Sequence, residues 1–255
     1  MSISRYNLNF ITDEDLFSHV QSIVQQYSCS IDLKHFNKNI IDPIKLTFDK
    51  IIYSKNISEL VDAEVIRQMD KSNNNTIGYF HQNIFNYLGG SQWVVPKQGF
   101  DVINLKQKIY VEMKNKHNTM NSSSSQKTYL RMATQLQREP DAVCMLVEVI
   151  AKKSQNIPWE IMVDGEKFIS EGIRRVSIDK FYHLVTGEVD AFKQLCMVLP
   201  KVIQDVVNIN HNIHLTNSVN SELMGISGDT LTGLYLLAFH HYEGFNDFSL
   251  DKLKL

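Results

Sequence analysis

Cysteine is scarce in this sequence, with three scattered residues among 255. Cys29, Cys144 and Cys196 lack the close spacing of metal ligands, so the sequence predicts that they are reduced. No uninterrupted apolar run approaches membrane-spanning length. The first residues also lack the charged segment and apolar core of a secretory signal. We therefore expect a cytoplasmic protein without a disulfide scaffold.

Net charge is also small, because 26 lysines and arginines face 28 aspartates and glutamates, giving −2. This balance argues against a general polyanion binder, which usually carries a basic excess to neutralise phosphates. Positive charge is nevertheless concentrated over residues 97–153, whereas acidic residues crowd the first seventy positions. Such a distribution is typical of a sequence-selective DNA enzyme that must also release its product.

Hydrophobic residues make up 43% of the chain, enough to bury a sizeable core. We expect a single domain over residues 1–255, with a helical lead-in at 1–70, a core at 75–205 and an extension of unknown role at 208–255.

The spacing of apolar residues predicts both helices and strands. Helices are expected over 13–27, 57–69, 79–88, 126–138, 177–186 and 190–207, the last interrupted near Pro200. Strands are expected over 93–95, 109–114, 157–163 and 142–150, and the last has the continuous apolar run of a buried parallel strand. The asparagine-rich stretch 72–76 predicts a surface loop, or alternatively a loop that contacts phosphate. This order favours an α/β fold with a mixed central sheet flanked by helices.

Two acidic residues and a lysine lie on a predicted hairpin. Residues 109–114 alternate between apolar and polar side chains, so Glu112 and Lys114 point to the same face of a strand. If residues 105–108 form a four-residue loop, Asp101 falls opposite Glu112, where paired Cβ atoms are about 5 Å apart. The two carboxylates and the lysine would then share one edge of a sheet.

This arrangement predicts a Mg²⁺ site. Two carboxylates at that separation repel each other, and a bound Mg²⁺ keeps both ionised. Mg²⁺ retains several waters, which leaves positions for a phosphate oxygen and an attacking water. Lys114 can then stabilise developing negative charge. In the structural alternative Asp101 is a turn residue, and Glu112 and Lys114 form an exposed strand face, because the spacing alone occurs by chance in many proteins.

Polar and basic residues beyond the hairpin are candidate DNA contacts. The serines at 122–125 precede a predicted helix, so they could offer hydroxyls and N–H groups to a phosphate, or serve only as a loop that caps the helix. Arg174 and Arg175, on a polar segment before the helix at Ile178, could read guanine or form a solvated or phosphate-bound pair. The full candidate set is Lys116, His117, Asn118, Ser122, Ser123, Ser124, Ser125, Lys127, Arg131, Arg174 and Arg175.

The hairpin also carries a family resemblance. Asp101 with Glu112, Met113 and Lys114 resembles the PD-(D/E)xK nucleases, although Phe100 stands where the family name has proline. One branch, the type II restriction endonucleases that recognise GGNCC, is similar over about residues 60–205. The runs that carry this similarity are Ile77 to Phe85, Glu112 to Ser125, Ser177 to Tyr182 and Leu199 to Lys201.

The resemblance implies a restriction-endonuclease-like core that uses Mg²⁺. Asp101, Glu112 and the Met113 backbone carbonyl would be metal ligands, and Lys114 would be the catalytic lysine. The implied activity is hydrolysis of both strands of a short palindromic duplex site, leaving 5′-phosphate ends. A palindrome implies a homodimer, and a restriction enzyme implies a cognate methyltransferase. The alternatives are a repair or recombination nuclease of the same fold and a DNA-binding protein that does not cut.

Overall fold

A computed structural model describes residues 6–117, 119–163, 165–210, 216–243, 245 and 248–250, apart from the side chain of Ser91. The chain divides into two compact units, one formed by residues 1–26 and 76–210 and the other by residues 27–75 and 211–255. The lead-in expected over 1–70 is therefore shared between the units. No helix among the described residues is long and apolar enough to cross a membrane.

Helices and strands both occur along the chain, as the apolar spacing predicts, but several of them are not predicted individually. The helices are α1 (Asp13–Gln26), α2 (Leu33–Asn37), α3 (Pro43–Ile52), α4 (Ile57–Asn83), α5 (Ser122–Arg138), α6 (Ile178–Thr186), α7 (Ala191–Ile209), α8 (Val219–Ser227) and α9 (Thr230–Phe239). The strands are β1 (Ser30–Ile31), β2 (Val102–Asn104), β3 (Ile109–Lys116), β4 (Val143–Ile150), β5 (Asn156–Val163), β6 (Glu166–Ser177) and β7 (Thr216–Asn217).

The first unit contains a mixed sheet, which among the described residues has five strands in the order β2, β3, β4, β6, β5. β3, β4 and β6 run parallel, whereas β2 and β5 pair antiparallel at the two edges. β4 is the apolar run predicted as a buried parallel strand, and that prediction is confirmed. Three parallel strands bring their carboxyl ends to the same edge of the sheet, which matters for the site described below.

Helices cover both faces of this sheet, which confirms the predicted fold class. On one face, β3 and β4 share an apolar core with α1, α6 and α7, whose members include Val111, Val147, Leu16, Phe181 and Leu195. On the other face, Leu146 and Ile173 pack with Tyr129 and Met132 of α5. The central strands are thus buried on both sides, as their continuous hydrophobicity requires.

The second unit joins distant parts of the sequence. β1 pairs in parallel with β7, with Ser30 aligned to Thr216. Ile31 and Val61 lie in the same apolar core as Val219 of α8. Residues from the expected extension and residues from the expected lead-in therefore share one apolar core.

The asparagine-rich stretch 72–76 is helical, so the prediction of a surface loop there is wrong. It continues α4, and Asn73 accepts a hydrogen bond from the backbone N–H of Ser28 at 2.7 Å. Asn74 donates to Asp70, one helical turn earlier, at 2.8 Å. Asparagine costs a helix only a fraction of a kcal/mol relative to alanine, and these side-chain bonds offset that cost.

Other elements also differ from the sequence prediction. The helices expected over 57–69 and 79–88 are joined in α4, which ends at Asn83, and the elements without a predicted counterpart are α2, α3, α8, α9, β1, β6 and β7. α5 begins at Ser122 instead of 126, because the Asn121 side chain accepts a hydrogen bond from the Ser124 N–H and caps the helix. α7 continues through Pro200 without interruption, since Leu195 and Val202, on either side of the proline, are fully buried. The strand expected over 93–95 is reduced to one bridge between Val94 and Ile103.

Candidate active site

The acidic hairpin, defined here as residues 99–116, has the predicted register. Val102 is aligned with Val111 and Asn104 with Ile109, so residues 105–108 form the four-residue loop. The aligned pairs end at Val102, and beyond them the Asp101 N–H donates to the Val111 carbonyl at 2.8 Å, so Asp101 lies beside Val111, next to Glu112 in sequence. The predicted four-residue loop is confirmed, whereas the direct opposition of Asp101 and Glu112 stays a prediction.

Asp101 is held against the backbone of β3. Its Oδ2 accepts a hydrogen bond from the Met113 N–H at 2.7 Å. Burial raises the pKa of the Asp101 carboxyl above its usual value, against the Met113 hydrogen bond, and the neighbouring Glu112 raises it further. Lys114 and Arg131 act in the opposite direction. The nearby positive charges thus do not fully offset the cost of burying the ionised Asp101 carboxylate.

Glu112 receives two cations, one on each carboxylate oxygen. Lys114 Nζ donates to Oε1 at 2.7 Å, and Arg131 Nη2 donates to Oε2. The Glu112 side chain is only 11% exposed, whereas the side chains of Lys114 and Arg131 are 30% and 41% exposed. Both oxygens of this nearly buried carboxylate therefore have a cationic hydrogen-bond partner.

Arg131 lies on α5, the helix whose Tyr129 and Met132 pack on the sheet, and its side chain reaches this carboxylate from there. Its guanidinium lies 4.9 Å from the centre of the Phe100 ring, and Nη1 donates to the Gly99 carbonyl at 3.3 Å. A cation over an aromatic face is attracted by the ring. Arg131 therefore connects α5 to β3 and to the segment of the acidic hairpin that precedes β2.

The donors on this hairpin fit a hard divalent cation. Asp101 and Glu112 supply carboxylate oxygens, and β3 supplies backbone carbonyls next to Glu112; oxygen donors of this kind suit Mg²⁺, which also keeps several waters. No group of three or more histidine, cysteine, aspartate or glutamate side chains suited to a metal occurs in the described part of the chain. Two carboxylates would leave the remaining positions of a bound Mg²⁺ to backbone oxygens and water.

Glu148 is a buried acidic residue that the sequence analysis does not identify. It is aligned with Lys114 in the parallel β3 and β4 pair, so the two side chains lie on the same face of the sheet. Its side chain is 1% exposed and bonds Arg175, whose Nε donates to Oε2 at 3.0 Å. A glutamate inside the apolar run 143–150 is the available signal, because a buried carboxylate needs a partner.

Arg175 also links this pair to the end of β3. Its Nη2 donates to Glu148 Oε1 and to the His117 carbonyl at 2.8 Å. The neighbouring Arg174 bonds Asn156 and Glu171. Both arginines lie within β6 instead of on a polar segment before α6. Both guanidinium groups are thus already bound to protein partners among the described residues.

The other candidate DNA contacts lie near the hairpin in sequence. Lys116 ends β3 and is exposed, and His117 follows it. The serines at 122–125 occupy the first turn of α5, and Lys127 is exposed on the same helix. Asn118 lies outside the described residues.

The chain is similar to restriction enzymes over most of its length. A family model described as Eco47II restriction endonuclease matches residues 8–208. The type II restriction enzyme Sau96I from Staphylococcus aureus is 34% identical over 209 residues, which cover 78% of this chain and 80% of that protein. The type II restriction enzyme Eco47II from Escherichia coli is 28% identical over 212 residues, which cover 79% and 88%.

Proposed function

Because the chain belongs to the Eco47II restriction endonuclease family, we propose that it is a Mg²⁺-dependent type II restriction endonuclease of the PD-(D/E)xK type. The reaction is hydrolysis of both strands of a short palindromic duplex site, leaving 5′-phosphate ends. The observation that supports the proposal is that Asp101 accepts from the Met113 N–H at 2.7 Å, directly beside Glu112, whose carboxylate accepts from Lys114. The family match includes all three residues.

Each residue of the hairpin has a chemical task in this proposal. Asp101, Glu112 and the Met113 carbonyl would hold Mg²⁺, which when bound supplies Lewis acidity and a more acidic water. Lys114 would move from Glu112 toward the attacked phosphate and stabilise the negative charge that develops there. Its 30% exposure allows the ammonium group this movement.

DNA is proposed to approach the carboxyl ends of the parallel strands and the start of α5. The first turn of α5 carries four serines whose hydroxyls and N–H groups suit a phosphate. Exposed Lys116 and Lys127 add positive charge on either side of that turn. His117 follows β3 at the same edge, and Asn118 stays in this set as a prediction from sequence.

The proposed target is GGNCC, on the basis of the resemblance of residues 77–85, 112–125, 177–182 and 199–201. A palindromic site is read symmetrically by two copies of one chain, so a homodimer is part of the proposal. A cell that contains this enzyme would need a methyltransferase that protects the same sequence.

Plasmid cleavage tests this function. Unmethylated plasmid with Mg²⁺ should give discrete fragments, and EDTA should abolish them. Lys114→Ala should slow cleavage by at least about 100-fold, as loss of a group that stabilises developing charge does. Lys106→Ala is the matched control, because it removes the same charge from the exposed loop of the same hairpin and should leave the fragments unchanged.

Other results would contradict the proposal in different ways. A smear would indicate a nuclease without site preference, as in the repair or recombination alternative. Intact plasmid with DNA binding retained by Asp101→Ala would indicate a protein that binds without cutting. Sequencing the ends of discrete fragments would identify the site and the position of the cuts.

A further inference from the structure

Arg131 occupies the carboxylate oxygen that a metal would need. Its Nη2 bonds Glu112 Oε2, while Lys114 takes Oε1. Both oxygens of a proposed metal ligand are thus bound by side-chain cations in the structure described here. The Phe100 ring and the Gly99 carbonyl hold the guanidinium in this position.

We propose that Arg131 is a placeholder for the metal: it neutralises Glu112 in the metal-free protein, must leave that oxygen before a divalent cation binds, and then contacts a DNA phosphate. This inference rests on the proposed function, since it requires that Glu112 is a metal ligand. It adds that Arg131 and the metal compete directly for the Glu112 carboxylate.

The competition follows from charge and geometry. A guanidinium and a divalent cation repel each other. Because the oxygen they would share is nearly buried, little water screens this repulsion. Arg131 can leave, because its side chain is 41% exposed and its aliphatic part is long. Its contact with Phe100 does not involve Glu112, so the guanidinium can remain near the site after it releases the carboxylate.

A phosphate gives the released arginine a new partner. Arginine binds phosphate oxygens with the same planar donors that it uses for carboxylates. DNA that draws Arg131 from Glu112 would raise the affinity for the metal, and by linkage the metal would raise the affinity for DNA equally. The placeholder would therefore keep metal binding weak until DNA is present.

The test is a calorimetric titration of Mn²⁺ into the full-length protein without DNA. Arg131→Met should bind Mn²⁺ about tenfold more tightly than the wild type, a typical size for coupling between two sites. Arg138→Met is the matched control, because it removes the same charge from the exposed last turn of α5, about 10 Å along the helix. It should change the affinity by less than about twofold, since exposed charges at that distance are largely screened.

The outcomes separate this inference from the proposed function. Equal Mn²⁺ affinity in the wild type and Arg131→Met would overturn the placeholder and leave the metal site intact. No Mn²⁺ binding to either protein would overturn both. Tighter binding by Arg131→Met that Glu112→Gln abolishes in the same background would support both, and slower plasmid cleavage by Arg131→Met would support the phosphate contact. Circular dichroism checks that each variant folds, and Arg131→Gln replaces Arg131→Met if it does not.

Discussion

Asp101 is a largely buried carboxylate whose ionised form is disfavoured in the metal-free protein. Burial raises its pKa, and Glu112 raises it further. Because the folded pKa lies above the unfolded pKa, the folded state binds the proton more tightly. The free energy of unfolding therefore decreases as the pH rises through the window between these two pKa values.

Asp101→Asn should stabilise the metal-free protein at pH 7 while it removes a proposed metal ligand. Asparagine keeps an oxygen that can accept from the Met113 N–H and carries no charge. The gain should lie within the range of about 0.5–2 kcal/mol that single stabilising substitutions commonly give. Urea unfolding in EDTA measures it, and the gain should shrink as acidification protonates Asp101 in the wild type.

Asp141→Asn is the control for this prediction. Its hydrogen bond from Lys108 lowers the pKa of the Asp141 carboxyl, so its ionised form is favoured and the substitution should not stabilise the protein. A lower unfolding midpoint for Asp101→Asn than for the wild type at pH 7 would contradict the account of the buried carboxylate.

Contacts within the hairpin can be predicted from sequence, whereas contacts from other elements cannot. Asp101, Glu112 and Lys114 lie within fourteen positions, and strand alternation with a four-residue loop determines their relation. Arg131 and Glu148 reach the same region from α5 and β4. Their positions depend on how those elements pack, and no local spacing encodes that packing.

Among the elements, α5 supplies both a proposed phosphate site and the placeholder arginine. Its start is determined by Asn121, which accepts from the Ser124 N–H at 2.8 Å. Without this cap, the first-turn N–H groups would lose one of their acceptors and the turn would fray. Because that turn is helical, its four serines lie close together.

Asn121→Ala should therefore destabilise the protein by about 1 kcal/mol, the usual cost of losing an N-cap. Chemical denaturation measures the change. Ser123→Ala is the control, since Ser123 is exposed in the same turn and an ordinary surface substitution costs less than about 0.5 kcal/mol. Equal stability of Asn121→Ala and the wild type would mean that the cap does not determine where α5 begins.

Element boundaries follow from sequence for the apolar run of β4, but not for β6, whose polar residues predict a polar segment although the strand lies inside the sheet. β4 was identified because a continuous apolar run must be buried. The asparagines of α4 indicated a loop, yet their side chains bond Ser28 and Asp70 and the helix continues. A single proline likewise did not interrupt α7, because packing outweighed the lost hydrogen bond.

At the scale of the whole molecule, the sequence does not reveal which distant segments fold together. Residues 27–75 and 211–255 form one compact unit, and they are separated by the entire sheet-containing segment. Hydrophobic spacing predicts which residues are buried, but not which of them share a core. The division of the chain into a lead-in, a core and an extension stays a prediction.

The proposed homodimer should be measurable in solution. Sedimentation equilibrium should give twice the 29.4 kDa mass of the chain. During plasmid cleavage, linear DNA should appear without much nicked circle, because a dimer cuts both strands in one encounter. A monomer mass at the concentrations used for cleavage, together with accumulation of nicked circles, would contradict the dimer. Lys114→Ala should keep the wild-type mass, since the proposal assigns it to the active site.

Phe100 gives the departure from the proposed PD-(D/E)xK motif a physical meaning. Where the motif has proline, this chain has a ring that lies 4.9 Å from the Arg131 guanidinium and 5.3 Å from the Tyr110 ring. A proline offers no aromatic face to a cation, so an arginine at position 131 would lose this support. Over evolutionary time the two positions should change together, with selection acting on the ring and the arginine as a pair.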